Sequence, residues 1–403
     1  MTAPRAATAE RTVVLELLGL VPASIGGMET YARNLVRVLP TLDDRYRYIA
    51  ATGAEARGVV PDGAGRITEW VADADRPGWT GRLRPLRTLV QSVALARRLR
   101  GWSPDVLHCL LMFAKPPWGG PNMVVTVHDL NFELLPDCWN PLDRGLMSLG
   151  CRLAVRMARV VITISEFSKR TLAARYGTPT NSIYVTPHGV RHDVFFPAAD
   201  ARDRHALCHE LELPGDLFFF PANTWPHKNH LRLLEALAVL RDVDGLRPGL
   251  ILTGAPKHAH PHVLGAVARL GLDRQVRWLG YVDQTRLVAL YRTATALVFP
   301  SLHEGFGMPV LEAMACGCPV ACARTTATGE IAGDAALTFD PTEVSDIARA
   351  LRALLGSEEL CRDLARRGLE RARAFSWERT GRETLRVYDE VIARDPARGS
   401  RPR

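Results

Sequence analysis

Residues 296–317 read ALVFPSLHEGFGMPVLEAMACG, and this stretch decides the fold class. The apolar run Ala296–Phe299 predicts a buried parallel strand. A loop with two glycines follows, and Pro309 then stands where the first turn of a helix tolerates proline. Gly317 predicts the end of that helix. The stretch is therefore a strand, a glycine-rich loop and the start of a helix in succession.

A loop and helix start of this kind predict an anion-binding site. The first backbone N–H groups of a helix lack partners, and the helix dipole favours negative charge there. Glu304 lies in the loop and Glu312 lies in the first turns of the helix. Because carboxylates repel phosphate, we expect these two side chains to face another part of the ligand, such as sugar hydroxyls. The combination predicts a pocket for a nucleotide sugar.

Length and composition narrow the class of protein. The chain has 403 residues, 47% of them apolar and 23% charged, which is typical of a soluble globular protein with two domains. It has no run of about 18 uncharged apolar residues that would predict a membrane-spanning helix. The N-terminus resembles a first strand more than a signal peptide, so we expect a cytoplasmic location. The net charge of +8 permits anionic substrates or anionic membranes as partners, and no nucleic-acid partner is expected.

The eight cysteines show no framework of disulfide pairs, which favours reduced thiols. Cys316, Cys318 and Cys322 are close together but lack a completing set of ligands. His258, His260 and His262 alternate in a predicted loop, which favours a solvated loop. We therefore expect no metal.

Apolar strands and amphipathic helices alternate along both halves of the chain. This alternation predicts an α/β protein with two doubly wound parallel sheets. We expect one domain over residues 12–195, a second over residues 212–374, and a last helix over residues 375–393. Ligands of such sheets bind outside the carboxyl ends of the strands. The unusual loops fall at predicted strand ends, which suggests a cleft between the domains: Gly26-Gly27, His128-Asp129, Ser165, 223–229, Gly254, Gly280-Tyr281 and 304–307.

Six segments at these strand ends carry a resemblance to a known family. They are VHDL (127–130), TISEFS (163–168), PHGV (187–190), WPHKN (225–229), LGYV (279–282) and EGFGMPVLEAMA (304–315). With these segments in this order, the chain resembles a retaining family-4 glycosyltransferase of the GT-B fold over nearly its whole length. The resemblance implies two facing Rossmann-like domains, with the C-terminal helix returning to the first.

The resemblance also implies roles for individual residues. Glu304, His128 and Lys228 would be the catalytic residues. Glu304 would bind hydroxyls of the donor sugar, Lys228 would pair with the diphosphate, and His128 would lie near the reactive carbon of the sugar. Glu312 would hold the ribose. The implied donor-binding set is Gly26, Gly27, Asn223, Lys228, Gly280, Tyr281, Val282, Glu304, Gly305, Phe306, Gly307, Val310, Leu311 and Glu312.

One position departs from the family pattern. Many members have an arginine five residues before the lysine, where this chain has Asn223. Either Arg324 supplies the second cation for the diphosphate, or Asn223 donates a weaker, neutral hydrogen bond.

The implied activity is transfer of a hexose from a nucleotide-diphospho-sugar to a hydroxyl of a glycan, a glycolipid or a natural product. Mannose from GDP-mannose is favoured over other donors. Retention of configuration would follow from a front-side transfer in which the leaving phosphate takes the acceptor proton, with no cofactor and no metal.

Other functions remain open at this stage. A sugar-nucleotide epimerase, a glycan phosphorylase or a non-catalytic nucleotide-sugar-binding subunit can share the fold. The arginine-rich helix over residues 82–100 is either a solvated face or a peripheral contact with anionic lipid, at the inner face of the plasma membrane.

Overall fold

A computed structural model describes residues 10–22, 26–61, 63–72, 84–111, 122–197, 209–212 and 215–394, with the backbone alone over 84–89. The chain divides into two compact units. The first comprises the chain up to Glu133, Trp139–Gly189, and the chain from Trp377 onward. The second comprises Leu134–Cys138 and Val190–Ser376.

The first unit is built on a parallel sheet. Its described elements are β1 (Arg11–Leu17), α1 (Gly27–Leu42), β2 (Tyr46–Gly53), β3 (Ile67–Ala72), α2 (Arg84–Trp102), β4 (Val106–Cys109), β5 (Met123–Val127), α3 (Asn131–Leu134), α4 (Pro141–Met157), β6 (Val160–Thr163), α5 (Glu166–Tyr176) and β7 (Ile183–Val185). The strand order is β3-β2-β1-β4-β5-β6-β7. Val14 pairs with Ile49 on one side and with Leu107 on the other, so β1 is an interior strand of the sheet.

Both faces of this sheet are covered, and the sequence shows why. Val13, Val14 and Leu15 are consecutive and fully buried, so side chains on both faces of β1 lie in the core. Continuous apolar strands of this kind are typical of parallel sheets with helices on both sides.

The second unit repeats the architecture. Its described elements are β8 (Leu217–Pro221), α6 (His230–Asp244), β9 (Gly249–Thr253), α7 (His260–Arg269), β10 (Val276–Trp278), α8 (Gln284–Thr293), β11 (Ala296–Phe299), α9 (Met308–Ala315), β12 (Val320–Ala323), α10 (Thr326–Ala332), β13 (Leu337–Phe339), α11 (Val344–Gly356) and α12 (Glu358–Arg373). The parallel strands run in the order β10-β9-β8-β11-β12-β13. The order of connection reverses between β8 and β11, which makes this the switch point where ligands of open sheets bind.

The last helix, α13 (Trp377–Ala393), belongs to the first unit. It crosses α1 at Gly381, where a Cβ atom would lie 2.5 Å from Leu42 Cδ1, so the glycine lets the two helices approach closely. Farther along α13, the Tyr388 hydroxyl lies 2.6 Å from Nδ1 of the buried His108 on β4. The predicted α/β fold of two Rossmann-like sheets with a returning C-terminal helix is confirmed. The short helix α3 was not predicted.

Candidate active site

The loops that follow β8 and β11 are fastened to each other at the switch point of the second unit. Asn229 is buried, adopts a left-handed backbone with φ 63°, and precedes α6. Its Nδ2 donates to the carbonyl oxygens of Pro300 at 3.0 Å and Pro341 at 2.7 Å. The Leu302 N–H donates to the His227 carbonyl at 2.8 Å. These bonds fix the position of the residue between them, Lys228.

Lys228 and Glu304 form an ion pair across these two loops. Nζ of Lys228 lies 2.5 Å from Oε1 of Glu304, although the residues are 76 positions apart in sequence. The two side chains are only 18% and 13% exposed. The same Nζ lies 5.6 Å from the centroid of the Phe299 ring at the end of β11. Two of the three residues predicted to be catalytic are therefore in contact.

The pair changes how the neighbouring groups titrate. Burial alone would raise the pKa of Glu304, but the charge and hydrogen bond of Lys228 outweigh it and hold the pKa below its ordinary 4.5. Burial, followed by the charge of Lys228, lowers the pKa of His227 to about 4. At neutral pH the site therefore holds one cation, one carboxylate and a neutral imidazole.

Glu312 has a different environment on α9. Its Oε2 accepts a hydrogen bond from the Tyr291 hydroxyl at 2.9 Å. Burial raises the pKa of Glu312 to about 7, and the bond from Tyr291 only partly opposes this effect. The two carboxylates singled out in the sequence thus differ in charge near neutral pH.

The glycine-rich loop turns into α9 at Gly307, whose φ of 103° favours glycine. The Val310 N–H donates to the Gly307 carbonyl at 3.0 Å, and Pro309 has no N–H, so α9 offers fewer free donors than a typical helix start. The side chains of Val310 and Leu311 lie in the core. Phe306 is also buried and meets Phe375 edge-on at 6.1 Å. Any contact of Val310 or Leu311 with the nucleotide-sugar donor would therefore have to be made by backbone atoms.

Asn223, which stands where an arginine was expected, links the loop after β8 to the loop after β9. Its Oδ1 accepts a hydrogen bond from the Ala255 N–H at 2.6 Å. Gly254 lies between these segments with φ 121°, and a Cβ atom there would lie 2.7 Å from the Ala222 carbonyl. The alternative cation, Arg324, is exposed and bonds to two carboxylates, those of Asp340 at 2.8 Å and Asp346 at 2.9 Å.

The segment implied to hold the base begins at Gly280. Its φ is 68°, and its carbonyl accepts from the Gly254 N–H at 2.7 Å. Tyr281 is exposed and Val282 is half-buried. The loops after β9 and β10 are therefore joined through backbone atoms, as the loops after β8 and β11 are joined through Asn229. Gly305 lies within the loop that carries Glu304.

In the first unit, His128 follows β5 and is buried. Its Nε2 lies 3.1 Å from the Leu110 carbonyl, so this nitrogen carries the proton. Burial lowers the pKa of His128 to about 4, and the ring is neutral at pH 7. Its ring meets Tyr31 edge-on at 4.9 Å, and Tyr31 stacks on His188 at 5.0 Å.

Gly26 and Gly27 precede and begin α1, and a Cβ atom on either would meet nothing within 4 Å. Of these two glycines, only Gly26, with a φ of 54°, has a backbone conformation that favours glycine. Ser165 caps α5, since its side chain accepts from the Ser168 N–H at 3.1 Å.

Sequence reasoning missed three supporting residues. Asn229 stands out in the sequence only as part of the segment WPHKN, although asparagine is one of the few non-glycine residues that adopt a left-handed backbone. Gly254 was noted only as a strand-end glycine. Tyr291 gave no signal, because a tyrosine on an apolar helix face is indistinguishable from core.

Comparisons with known proteins identify the family of the chain. The family model described as Glycosyltransferase Family 4 matches residues 25–194, and the model described as Glycosyl transferases group 1 matches residues 209–371. O-antigen chain mannosyltransferase B of Escherichia coli is 32% identical over 267 residues, which are 66% of this chain and 69% of that protein. The chain belongs to glycosyltransferase family 4. It is a glycosyltransferase enzyme.

Other similar proteins have the same character. The MMP alpha-(1->4)-mannosyltransferase of Mycolicibacterium hassiacum is 29% identical, and the match covers 81% of this chain and 78% of that protein. Sucrose-phosphate synthase from Thermosynechococcus elongatus has a similar fold, with a TM-score of 0.76, 20% identity, and coverage of 96% and 100%. The Anabaena protein Alr3699/HepE in complex with UDP and glucose has a TM-score of 0.72, 17% identity, and coverage of 94% and 100%.

The described part of the chain also bears on membranes and metals. No described helix of the glycosyltransferase is both long and apolar enough to cross a membrane. No group of three or more His, Cys, Asp or Glu side chains in the same part of the chain could hold a metal ion. Metal independence stays a prediction.

Proposed function

We propose that this glycosyltransferase transfers mannose from GDP-mannose to a hydroxyl of a glycan, a glycolipid or a natural product, with retention of configuration. The observation that carries the proposal is the ion pair of Lys228 and Glu304 at the switch point, with both side chains largely buried. A cation beside a carboxylate can bind two adjacent parts of a nucleotide-diphospho-sugar, because the cation attracts the anionic diphosphate and the carboxylate accepts hydrogen bonds from the neutral sugar.

Lys228 would stabilise the leaving diphosphate. Its ammonium group has three N–H donors, and only one is needed for Glu304. The other two can donate to phosphate oxygens, where negative charge increases as the bond to the sugar breaks. The bonds that hold Asn229 keep this cation in position before the donor binds.

Glu304 would orient the sugar. One carboxylate oxygen accepts from Lys228, which leaves the second to accept a hydrogen bond from a sugar hydroxyl. Glu312 would accept from the ribose hydroxyls in its charged form. His128 would present a neutral ring near the reactive carbon, and Asn223 would act through the backbone that it holds.

In the proposed reaction, the bond between the anomeric carbon and the phosphate oxygen breaks. The acceptor oxygen forms its bond to the same face of that carbon, and its proton passes to a phosphate oxygen of the leaving diphosphate. The protein then contributes positioning and electrostatic stabilisation. Support for retention comes from the family resemblance.

The choice of mannose as the transferred sugar rests on the relatives. Two are named mannosyltransferases, one from Escherichia coli and one from Mycolicibacterium hassiacum. The Anabaena protein of similar fold binds UDP and glucose, which supports a nucleotide sugar without supporting mannose.

A donor panel tests the proposal. The chain is incubated with GDP-mannose, UDP-glucose, UDP-N-acetylglucosamine or dTDP-rhamnose, with and without a pool of hydroxyl acceptors. We expect release of nucleoside diphosphate from GDP-mannose that depends on acceptor, and a glycosylated product of unchanged anomeric configuration. Conversion of the sugar nucleotide without acceptor would indicate an epimerase, and binding without turnover a non-catalytic subunit.

Variants connect the activity to the site. Glu304→Gln and Lys228→Ala are each expected to abolish transfer, whereas Glu370→Gln, at an exposed carboxylate on α12, should leave it unchanged. Near-normal turnover in either site variant would refute the assigned roles. A cytoplasmic location and peripheral association with an anionic membrane are proposed with this function and need separate tests.

A further inference from the structure

Tyr291 on α8 is a buried tyrosine to which the proposed reaction assigns no role. Its side chain is completely buried, and its hydroxyl donates to Oε2 of Glu312 on α9 at 2.9 Å. A phenylalanine would fill the same apolar space, so the hydroxyl adds this hydrogen bond and no packing. The bond joins a core residue of α8 to the carboxylate to which the ribose is assigned.

Aromatic neighbours fix the direction of the Tyr291 hydroxyl. The ring meets Phe219 of β8 edge-on at 5.2 Å and Phe195 edge-on at 6.2 Å. Both phenylalanines are buried. Because close-packed rings in a core have little room for other rotamers, the phenol oxygen is held in one place by the core of the second unit.

Glu312 gains a defined orientation from this donor. Its side chain is half-buried, and a glutamate side chain loses rotamer freedom when it is ordered. Tyr291 holds Oε2, and Oε1 is left to accept a hydrogen bond from a ribose hydroxyl. A carboxylate that is ordered before the donor binds does not lose this freedom on binding, so the contact with the ribose is stronger.

An orienting role and a merely structural role of the hydroxyl have different consequences. If the hydroxyl only supported the core, its removal would weaken the binding of every nucleotide equally. If it orients Glu312, its removal acts only on nucleotides that carry the ribose hydroxyls. A site built to bond a hydroxyl discriminates against an analogue that lacks it, because a polar group of the site is then left unpaired.

We propose that Tyr291 is a positioning residue, which acts through Glu312 to make the site selective for nucleoside diphosphates that carry the ribose hydroxyls. This inference rests on the ribose contact of Glu312 in the proposed function. It adds Tyr291, and the sugar of the nucleotide itself, to the determinants of donor choice.

Calorimetric titration of the full chain tests the proposal. The ligands are GDP and 2′,3′-dideoxy-GDP, with UDP and 2′,3′-dideoxy-UDP as a second pair. We expect the wild type to bind the ribonucleotide at least about tenfold more tightly than its dideoxy form, which is the effect of one hydrogen bond to a charged group. In Tyr291→Phe this ratio should fall to about threefold or less, with the affinity for the dideoxy form unchanged.

A double-variant cycle connects the effect to Glu312. Glu312→Ala alone should lower the ratio, and adding Tyr291→Phe should lower it no further, because no carboxylate is left to orient. The matched control is Tyr48→Phe in the first unit. Tyr48 is also completely buried, and its hydroxyl has no hydrogen-bond partner among the described residues, so this variant should keep the wild-type ratio.

Kinetics with GDP-mannose give a second readout. Tyr291→Phe should raise the KM for the donor about three- to tenfold and leave kcat within about twofold, since the ribose contact is the same in the ground state and the transition state. Loss of the hydrogen bond should also raise the pKa of Glu312 above its value of about 7, so the rise of the donor KM on acidification should begin at a higher pH. The neighbouring thiol of Cys316 does not interfere, because burial raises its pKa to about 12.

The outcomes separate this inference from the proposed function. A wild-type ratio in Tyr291→Phe, or an equal loss of affinity for both forms, would overturn the positioning role and leave the proposed transfer untouched. Equal binding of both forms by the wild type would overturn the inference together with the ribose contact of Glu312. Failure of the wild type to bind either diphosphate would overturn the inference and the proposed function alike.

Discussion

Replacing Lys228 by methionine removes the cation of the buried pair while keeping a side chain of similar length. Glu304 then remains in its buried position without a counter-charge. Because burial is the largest influence on the carboxyl and raises its pKa, loss of Lys228 should move the pKa of Glu304 from below its ordinary 4.5 to above it. Stability and activity should both fall, for different reasons.

The structure sets the magnitude of the loss in stability. Two unit charges about 4 Å apart attract by about 4 kcal/mol at an effective dielectric constant of 20. Removing one partner of a fully buried pair costs about 3–5 kcal/mol. The two side chains here are 18% and 13% exposed, so we expect about 2–3 kcal/mol for the single variant. In a unit of this size that corresponds to a melting temperature lower by roughly 5–10 °C.

The double variant Lys228→Met/Glu304→Gln separates stability from catalysis. It contains no unpaired charge at this site, so its stability should return to within about 1 kcal/mol of the wild type. Its transfer rate should stay at least about a hundredfold below the wild type, since the leaving diphosphate has lost its cation. Thermal melts and transfer assays on the wild type, both single variants and the double variant complete the cycle.

The stability of the wild type and that of Lys228→Met should depend on pH in opposite directions. In the wild type, the lowered pKa of Glu304 means that the pair adds stability above the unfolded pKa, and this stability is lost as pH falls through the folded pKa. In Lys228→Met the raised pKa reverses the sign, so its deficit should be larger at pH 8 than at pH 5. A variant that melts like the wild type at pH 8 and retains more than a tenth of the activity would refute this reasoning.

Three further substitutions test the neighbouring residues. Glu312→Gln should raise the free energy of unfolding at pH 8, relative to that at pH 5, by about 1–3 kcal/mol compared with the wild type. The reason is that the raised pKa of about 7 makes the charged carboxyl destabilising above that pH. The same substitution at Glu370 should show no such difference. Gly254→Ala should cost at least about 2 kcal/mol in chemical denaturation, because its Cβ would lie 2.7 Å from backbone atoms, whereas Gly265→Ala on α7 meets nothing within 4 Å and should cost nothing. Asn229→Gly keeps the left-handed backbone but removes both hydrogen bonds that the side chain donates. It should therefore lower kcat by more than its effect on the melting temperature would suggest. An unchanged kcat in a folded variant would mean that Asn229 does not position the cation.

The strands were the most predictable part of the fold. The strand β11 has the predicted bounds, because a run of four buried apolar residues between Thr295 and Pro300 leaves little choice. The helix α9 begins one residue before Pro309, and Gly317 follows its end with φ 72°, as the sequence indicated. Local signals of this kind are readable because each depends on only a few adjacent residues.

The contacts within the site were less predictable. Lys228 and Glu304 were assigned to different parts of a ligand, and their direct pairing depends on β8 and β11 being neighbours in the sheet. The sequence predicted only that Asn223 cannot supply a cation for the diphosphate. Its hydrogen bond to Ala255 depends on the approach of two loops that are distant in sequence.

The placement of α13 in the first unit has a consequence for synthesis on the ribosome. The surface of α1 that receives Gly381 cannot be covered until α13 emerges, about 190 residues after Gly189. At about 5–20 residues per second, this interval lasts roughly 10–40 s. The second unit can complete its fold during that time, while the apolar surface of α1 in the first unit stays exposed to solvent. A chain truncated after Ser376 should therefore contain a folded second unit and a first unit that chaperones still bind.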